Sequence, residues 1–239
     1  MRPLLGLIPF ALLAGLSMPA LAGTISIEGR GEVTASPDTA YVTSGVTTQG
    51  ATAREALDLN TKAMSDLMAE LKASGIEERD IQTSGFSVSP NYVYSEERDA
   101  NGYTLPPKIN GYQVSNVVTV RVRALDTLGA ILDKSVTVGA NTINGVTFAV
   151  ADTSDLLDEA RKAAFADARA KAELYATASG SKLEDIVSIN ESQNFGQPQP
   201  YEMRSMAAAA PQADVPVATG ELSFAINVSV QWELADAGK

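Results

Sequence analysis

The chain has 239 residues, 29 acidic and 18 basic, for a formal net charge of −11, and it contains neither Cys nor His. Those absences exclude thiol nucleophiles, the usual zinc, copper and haem ligands, and the side chain that most often moves protons near neutral pH. The acidic balance opposes binding to phosphate backbones and to anionic membrane surfaces.

The first 22 residues read as a cleavable signal peptide. Arg2 supplies the positive start, Leu4 to Leu16 is almost wholly apolar, and Pro19-Ala20-Leu21-Ala22 ends in an A-x-A signal. Cutting between Ala22 and Gly23 releases residues 23–239, which hold no other apolar stretch long enough to cross a bilayer as a helix. Loss of Arg2 makes the exported body one unit more negative. At that length it can bury a core without disulfide staples.

Thr24 to Ile27 alternates as a short strand, which Gly29-Arg30-Gly31 is expected to break. Ala35-Ser36-Pro37-Asp38 reads as a turn, and Thr39 to Thr48 alternates again, with Ala40, Val42, Ser44 and Val46 on one face. Thr52 to Ala73 changes to helical spacing through Leu57, Met64, Leu67 and Leu71, with Thr52 or Ala51 near the cap and Gly75 past the end. Asp80 to Tyr94 returns to strand, where Pro90 argues for an edge position. The polar stretch 95–107, SEERDANGYTLPP, forms a hairpin arm or long loop, so that the arm runs from about 92 to 112. Tyr112 to Val122 alternates cleanly.

Leu125 to Val136 is a shorter helix. Asn144-Gly145 turns the chain beside a strand at Val146 to Ala151. A long helix then runs from about Thr153 or Ser154 to Ser179, with Leu157, Ala160, Ala164, Ala168, Ala172 and Tyr175 on its inner stripe. Its charges balance locally in the pairs Asp158–Lys162, Asp167–Lys171 and Arg169–Glu173. That balance marks a solvated outer face and argues against a nucleic-acid partner. Ile186 to Glu191 is a strand. Residues 196–217 hold four prolines and read as an exposed, mobile loop. The last strand, Glu221 to Leu234, alternates throughout. The order ββα-ββα-βα-ββ predicts an α+β fold of antiparallel or mixed sheets, with amphipathic helices on one face.

No motif carries strong chemistry. Gly29-Arg30-Gly31 lacks the third glycine of a dinucleotide loop. The loop from Glu97 lacks the closing acid of a calcium site, because Lys108 stands there. Ser179-Gly180-Ser181-Lys182 matches S-x-x-K at a helix end, without its partner motifs. No cofactor or metal is expected. Tyr92, Tyr94, Tyr103 and Tyr112 cluster around the arm, either as a satellite core or as a contact surface.

Several segments together carry a family likeness. They are Ile25-Ser26-Ile27-Glu28-Gly29-Arg30-Gly31-Glu32-Val33 with Pro37-Asp38, then Asp80 to Pro90, then Gly111-Tyr112-Gln113-Val114-Ser115-Asn116. Gly139 to Val146, followed by Ala160 to Ala172, completes the set. Jointly they resemble the SIMPL-domain family of YggE-like periplasmic proteins, over nearly all of residues 23–239. The resemblance implies one exported α+β domain, periplasmic or outer-membrane-associated, that assembles with itself, a ring or channel being one such form. It also implies a loose link with oxidative stress, and it offers no catalytic residues to carry over.

Three readings stay open from the residues. The first is a non-enzymatic self-assembling protein with exposed strand edges. The second is a module that binds envelope proteins or peptides through the Tyr-rich arm. The third is a hydrolase using Ser179 or Ser181 with Lys182. Met203 and Met206 could take up oxidant sacrificially.

Overall fold

The computed structural model describes residues 23–192, 199–200 and 215–236. Among the described residues, three α-helices and seven of the eight strands follow the expected order, the short β7 being additional, and every described strand pairing is antiparallel. The fold is α+β, built as two sheets that each carry helices on one face.

The first sheet contains β1 (Gly23–Ala35), β8 (Leu222–Asp236) and β6 (Ser181–Glu191), in the order β1-β8-β6. The helix α3 (Ser154–Ala178) lies across it. The strand β1 is not broken at Gly29-Arg30-Gly31. It pairs with β8 from Gly23–Leu234 to Ala35–Leu222. The two glycines serve close packing, with no bend. A Cβ at Gly31 would run into Ala160 O and Ala164 N. One at Gly29 would run into Ala164 O and lie 2.6 Å from Ala168 Cβ. The facing stripe of α3 is Ala160, Ala164, Ala168, Ala172 and Ala176, all buried. Glycine against alanine lets a helix backbone sit almost on a strand. The stripe ends at Ala176 and not at Tyr175, whose ring is exposed, because a spacing of four carries the inner face onward.

The same helix covers the open edge of β1. Asp167 Oδ2 accepts from Arg30 N at 2.9 Å, and Lys171 Nζ donates to Glu28 O at 3.2 Å. A bare edge strand invites pairing with other chains, and side-chain bonds to it remove that option. Lys171 and the Arg30 amide hold the Asp167 carboxyl below the usual carboxylate range. The ion pairs on α3 are Asp167–Lys171 at 2.7 Å and Arg169–Glu173 at 2.8 Å, as expected. Asp158 instead meets Arg161, at 2.8 Å, one residue short of Lys162.

The second sheet has the order β3-β4-β2-β5, from β2 (Thr39–Gly50), β3 (Ile81–Val93), β4 (Lys108–Val122) and β5 (Thr142–Ala149). The helices α1 (Ala53–Ala73) and α2 (Leu128–Thr137) close its core with Leu67, Leu71, Leu128 and Ile131. Thr52 caps α1 by accepting from Glu55 N at 3.2 Å. Asn144-Gly145 lies inside β5 and does not end it. The register slips there, with Val42 opposite Val146 and Ser44 opposite Ile143. Gly145 takes φ +109°, so the pair forms a bulge that only glycine enters without strain.

The chain crosses between sheets at 36–38 and at 150–153. Asp38 ties both crossings, donating from its backbone N to Ala149 O at 3.1 Å and accepting from Ala151 N at 2.8 Å. Most of the loop expected at 196–217 lies outside the described residues. Within it, Gln199–Pro200 forms the short strand β7 against Ser223 and Leu222, so one piece of that segment is regular.

Asp80 stands at the start of β3, almost wholly buried. Arg123, just past β4, grips it with two bonds of 2.8 Å. That grip lowers the Asp80 pKa against the opposing pull of burial, and Arg121 and Arg79 add to the effect. A depressed folded-state pKa stabilises above the unfolded value of about 3.9 and loses that stabilisation as pH falls through the folded value. Asp80→Asn should therefore lower Tm by roughly 3 °C near neutrality. The difference from the native chain should begin to shrink below about pH 4 and vanish only below the lowered folded-state value, as thermal melts across a pH series would show.

Candidate functional site

The paired strands β3 and β4 outrun their sheet. Gly50, the last residue of β2, sits opposite Tyr112. Beyond that point β3 and β4 continue alone, with Tyr92 opposite Ile109 and Val93 opposite Lys108. The result is a two-stranded ribbon that projects past the end of β2. Pro90 is accommodated because β3 is an edge strand.

The ribbon ends in an ordered tip. Arg98 and Thr104 form a bridge, and Leu105 N donates to Glu97 O at 2.9 Å. Asp99 Oδ1 accepts from Asn101 N and Tyr103 N, both at 2.9 Å. The Asp99 carboxylate is thus turned inward to hold the tip, which explains an acidic residue there without a cation. Arg98 Nη1 closes the turn on Gly102 O at 2.9 Å.

The tyrosines of the arm do not form a satellite core. Tyr94 is 78% exposed, Tyr103 73% and Tyr92 50%. Tyr112 alone is half-buried, where the ribbon joins the sheet. Sequence reasoning missed the apolar residues that extend this surface, namely Phe86, Val88, Val93 and Ile109, all exposed. Alternation puts Phe86 and Val88 on one face of the strand with Pro90, Tyr92 and Tyr94. In the structure α1 packs mainly on β2 and β4 and only slightly on β3, and Phe86 and Val88 stay exposed. The one signal in the sequence was Pro90, which marks an edge strand and so a thinly covered one.

Ser179 and Ser181 do not converge with Lys182. The Ser179 hydroxyl donates to Ala176 O at 2.9 Å as α3 ends. Ser181 and Lys182 are successive residues of β6, opposite Asp236 and Ala235, so their side chains leave opposite faces. Among the described residues, no hydrogen bond joins either hydroxyl to Lys182, which is exposed. Nor does any group of three or more acidic side chains stand where it could hold a metal ion. Ala22, Met203 and Met206 lie outside the described residues, and Gly23 opens β1. No described helix is long and apolar enough to cross a membrane.

The family model described as SIMPL, a protein of unknown function (DUF541), matches residues 25–232. This chain belongs to the SIMPL family. Among relatives, it is 40% identical over 235 residues to the 26 kDa periplasmic immunogenic protein of Brucella melitensis, covering 93% of each chain. It is 28% identical over 187 residues to the uncharacterized protein YggE of Escherichia coli K12, covering 78% of this chain and 73% of that one. The SIMPL match takes in both sheets, all three helices and the whole arm.

Proposed function

We propose that this SIMPL chain is exported to the periplasm, with its leader cut between Ala22 and Gly23. There, residues 23–239 act as one non-enzymatic domain that assembles with copies of itself through the β3–β4 arm. The carrying observation is the ribbon itself. A lone pair of strands is marginal in water, yet this one leaves the directly paired Tyr92 and Ile109 exposed on one face, with Val93, Tyr94 and Tyr103 exposed as well. Aromatic residues of this kind favour contact surfaces, and a neighbour seated on them would cover the free edge of β3. The periplasmic location is supported by the name of the Brucella relative.

Sedimentation velocity on residues 23–239 at micromolar concentration tests the reading. The native chain should sediment as an oligomer. Replacing Tyr92, Tyr94 and Tyr103 by Ser should leave a folded monomer. A native chain that stays monomeric rejects self-assembly.

A second reading has the open edge of β3 take up an extended envelope peptide as an added strand. The free edge beside the exposed tyrosines favours it. Deleting Glu96 to Pro107 should then abolish peptide capture while leaving the core melt unchanged.

The assembly would be ring- or channel-like and serve envelope or oxidative-stress tolerance, with Met203 and Met206 as the oxidisable groups. Unaltered peroxide resistance after replacing both by Leu would remove the methionine role.

A further inference from the structure

A cleft of about 320 Å³ opens between α3 and β6, on the sheet opposite to the arm's. Its origin lies in the packing already described. Gly29 and Gly31 draw α3 down onto β1, and Asp167 and Lys171 fasten it over that edge. On the other side of the sheet the facing residues are large. Phe165 and Trp232 stand there with ring centroids 6.3 Å apart, inclined by 46°. The helix therefore rides high over β6, and Leu183 and Ile186 complete an apolar lining.

The mouth of the cleft is built irregularly. Leu183 pairs with Leu234 and Ile186 with Trp232, so Glu184 and Asp185 together face the single residue Glu233. This bulge turns two consecutive acids into the lining of the cleft. Bulges of this kind re-aim side chains and recur beside binding sites. The cationic lining residue, Arg169, is already paired with Glu173 at 2.8 Å. Among the described residues neither Glu184 nor Asp185 takes part in an ion pair. The cleft thus joins an aromatic and aliphatic floor to two carboxylates without counter-ions.

We infer that this cleft binds a small organic cation, an ammonium group carried on an aromatic or short aliphatic body. The body would lie against Phe165, Leu183 and Ile186 over Trp232, and the ammonium would meet Glu184 and Asp185 at the mouth. The volume falls at the lower end of the range for small-molecule sites, which suits a single ring or a chain of a few carbons. Charge-assisted bonds to both carboxylates supply the selectivity. An anion of the same shape would face the same two acids and be repelled.

Trp232 is the only tryptophan in the chain, so its emission reports directly on the cleft. The experiment titrates residues 23–239 with 2-phenylethylammonium and, separately, with phenylacetate, following that emission at neutral pH. The amine should shift the emission and saturate by about 1 mM, while the anion should produce no saturable change at about ten times that concentration. Glu184→Gln combined with Asp185→Asn should weaken the amine by about tenfold or more. Both positions are exposed on an edge strand, so the core is undisturbed. The comparison of the two probes on the native chain stands apart from that variant. No saturable response to the amine, an equal response to phenylacetate, or unaltered affinity in the double variant would each overturn the assignment.

Discussion

Gly31→Val should be among the most damaging single substitutions outside the hydrophobic core. The new Cβ would meet Ala160 O and Ala164 N, which are helix backbone, with Ala163 Cβ 2.9 Å away. Neither obstacle is a side chain that can rotate aside. The helix must rise from the sheet, which uncovers Ile226, Val228 and Val230 and strains the bonds from Asp167 and Lys171 to the edge of β1. Overpacking that shifts backbone costs about 3 kcal/mol, roughly a 10 °C fall in Tm for a chain of this size. Gly31→Ala should show the same effect in weaker form. Trimming Ala163 to Gly should not rescue either variant, because the nearest atoms belong to the backbone. The control is Gly85→Ala, where a Cβ would lie an ordinary 3.8 Å from Val117 Cβ. That change should move Tm by no more than roughly 2 °C. Similar melts for Gly31→Val and Gly85→Ala would refute the close-packing account of β1.

The second large effect concerns Asn60, fully buried on the inner face of α1. Its Nδ2 donates to Val46 O at 2.8 Å and to Val114 O at 3.3 Å, bonding the helix to two adjacent strands at once. Thr48 adds a further tie, donating through Oγ1 to Ala56 O at 2.7 Å. Asn60→Leu keeps most of the volume but removes the donor, leaving two carbonyls without it in a dry interface. The expected loss is about 3 kcal/mol, and Asn60→Ala should lose more because a cavity is added. Asn60→Asp distinguishes polarity from packing. Its ionised form has no donor, so it should be the least stable of the three at pH 7. It should recover as the pH falls and the buried carboxyl protonates, since the acid can then donate to one carbonyl. Thermal melts of the three variants between pH 4 and pH 7 would decide the matter. A stable Asn60→Leu would mean the amide contributes nothing that apolar packing cannot replace. The interface is not polar-perfect, since Asn60 Oδ1, Ser44 Oγ and Asn116 Oδ1 find no hydrogen-bond partner among the described residues. The gain from Asn60 is therefore less than its two bonds alone suggest.

Much of this architecture was legible before any coordinates. Alternation in Ala40, Val42, Ser44 and Val46, and again along β8, assigned strands and their inner faces. The alanine spacing of α3 marked a helix that must sit close to something. These readings succeed because side-chain direction in a strand or helix is set by the local backbone repeat. Each residue carries that information without reference to distant ones.

The failures share the opposite cause. Gly29 and Gly31 looked like a break in β1, because a glycine pair reads as freedom of the backbone until the helix 130 residues downstream is laid across it. Asn144-Gly145 looked like a chain reversal, because a bulge becomes visible only when the partner strand β2 fixes the register. Alternation puts Phe86 and Val88 on one face with Pro90, Tyr92 and Tyr94, but periodicity names a face and not what covers it, and α1 packs on β2 and β4 with only a slight contact to β3. The tyrosines were picked out as a cluster from the chain alone, but their exposure follows from where β2 ends. The cleft at Trp232 had no linear signature at all. Its walls come from α3, β6 and β8, and its acids line the mouth because the two strands pair out of step. Local chemistry therefore determined the elements and their faces. Long-range packing alone decided which faces stay bare, and those bare faces are where this protein's binding is proposed to lie.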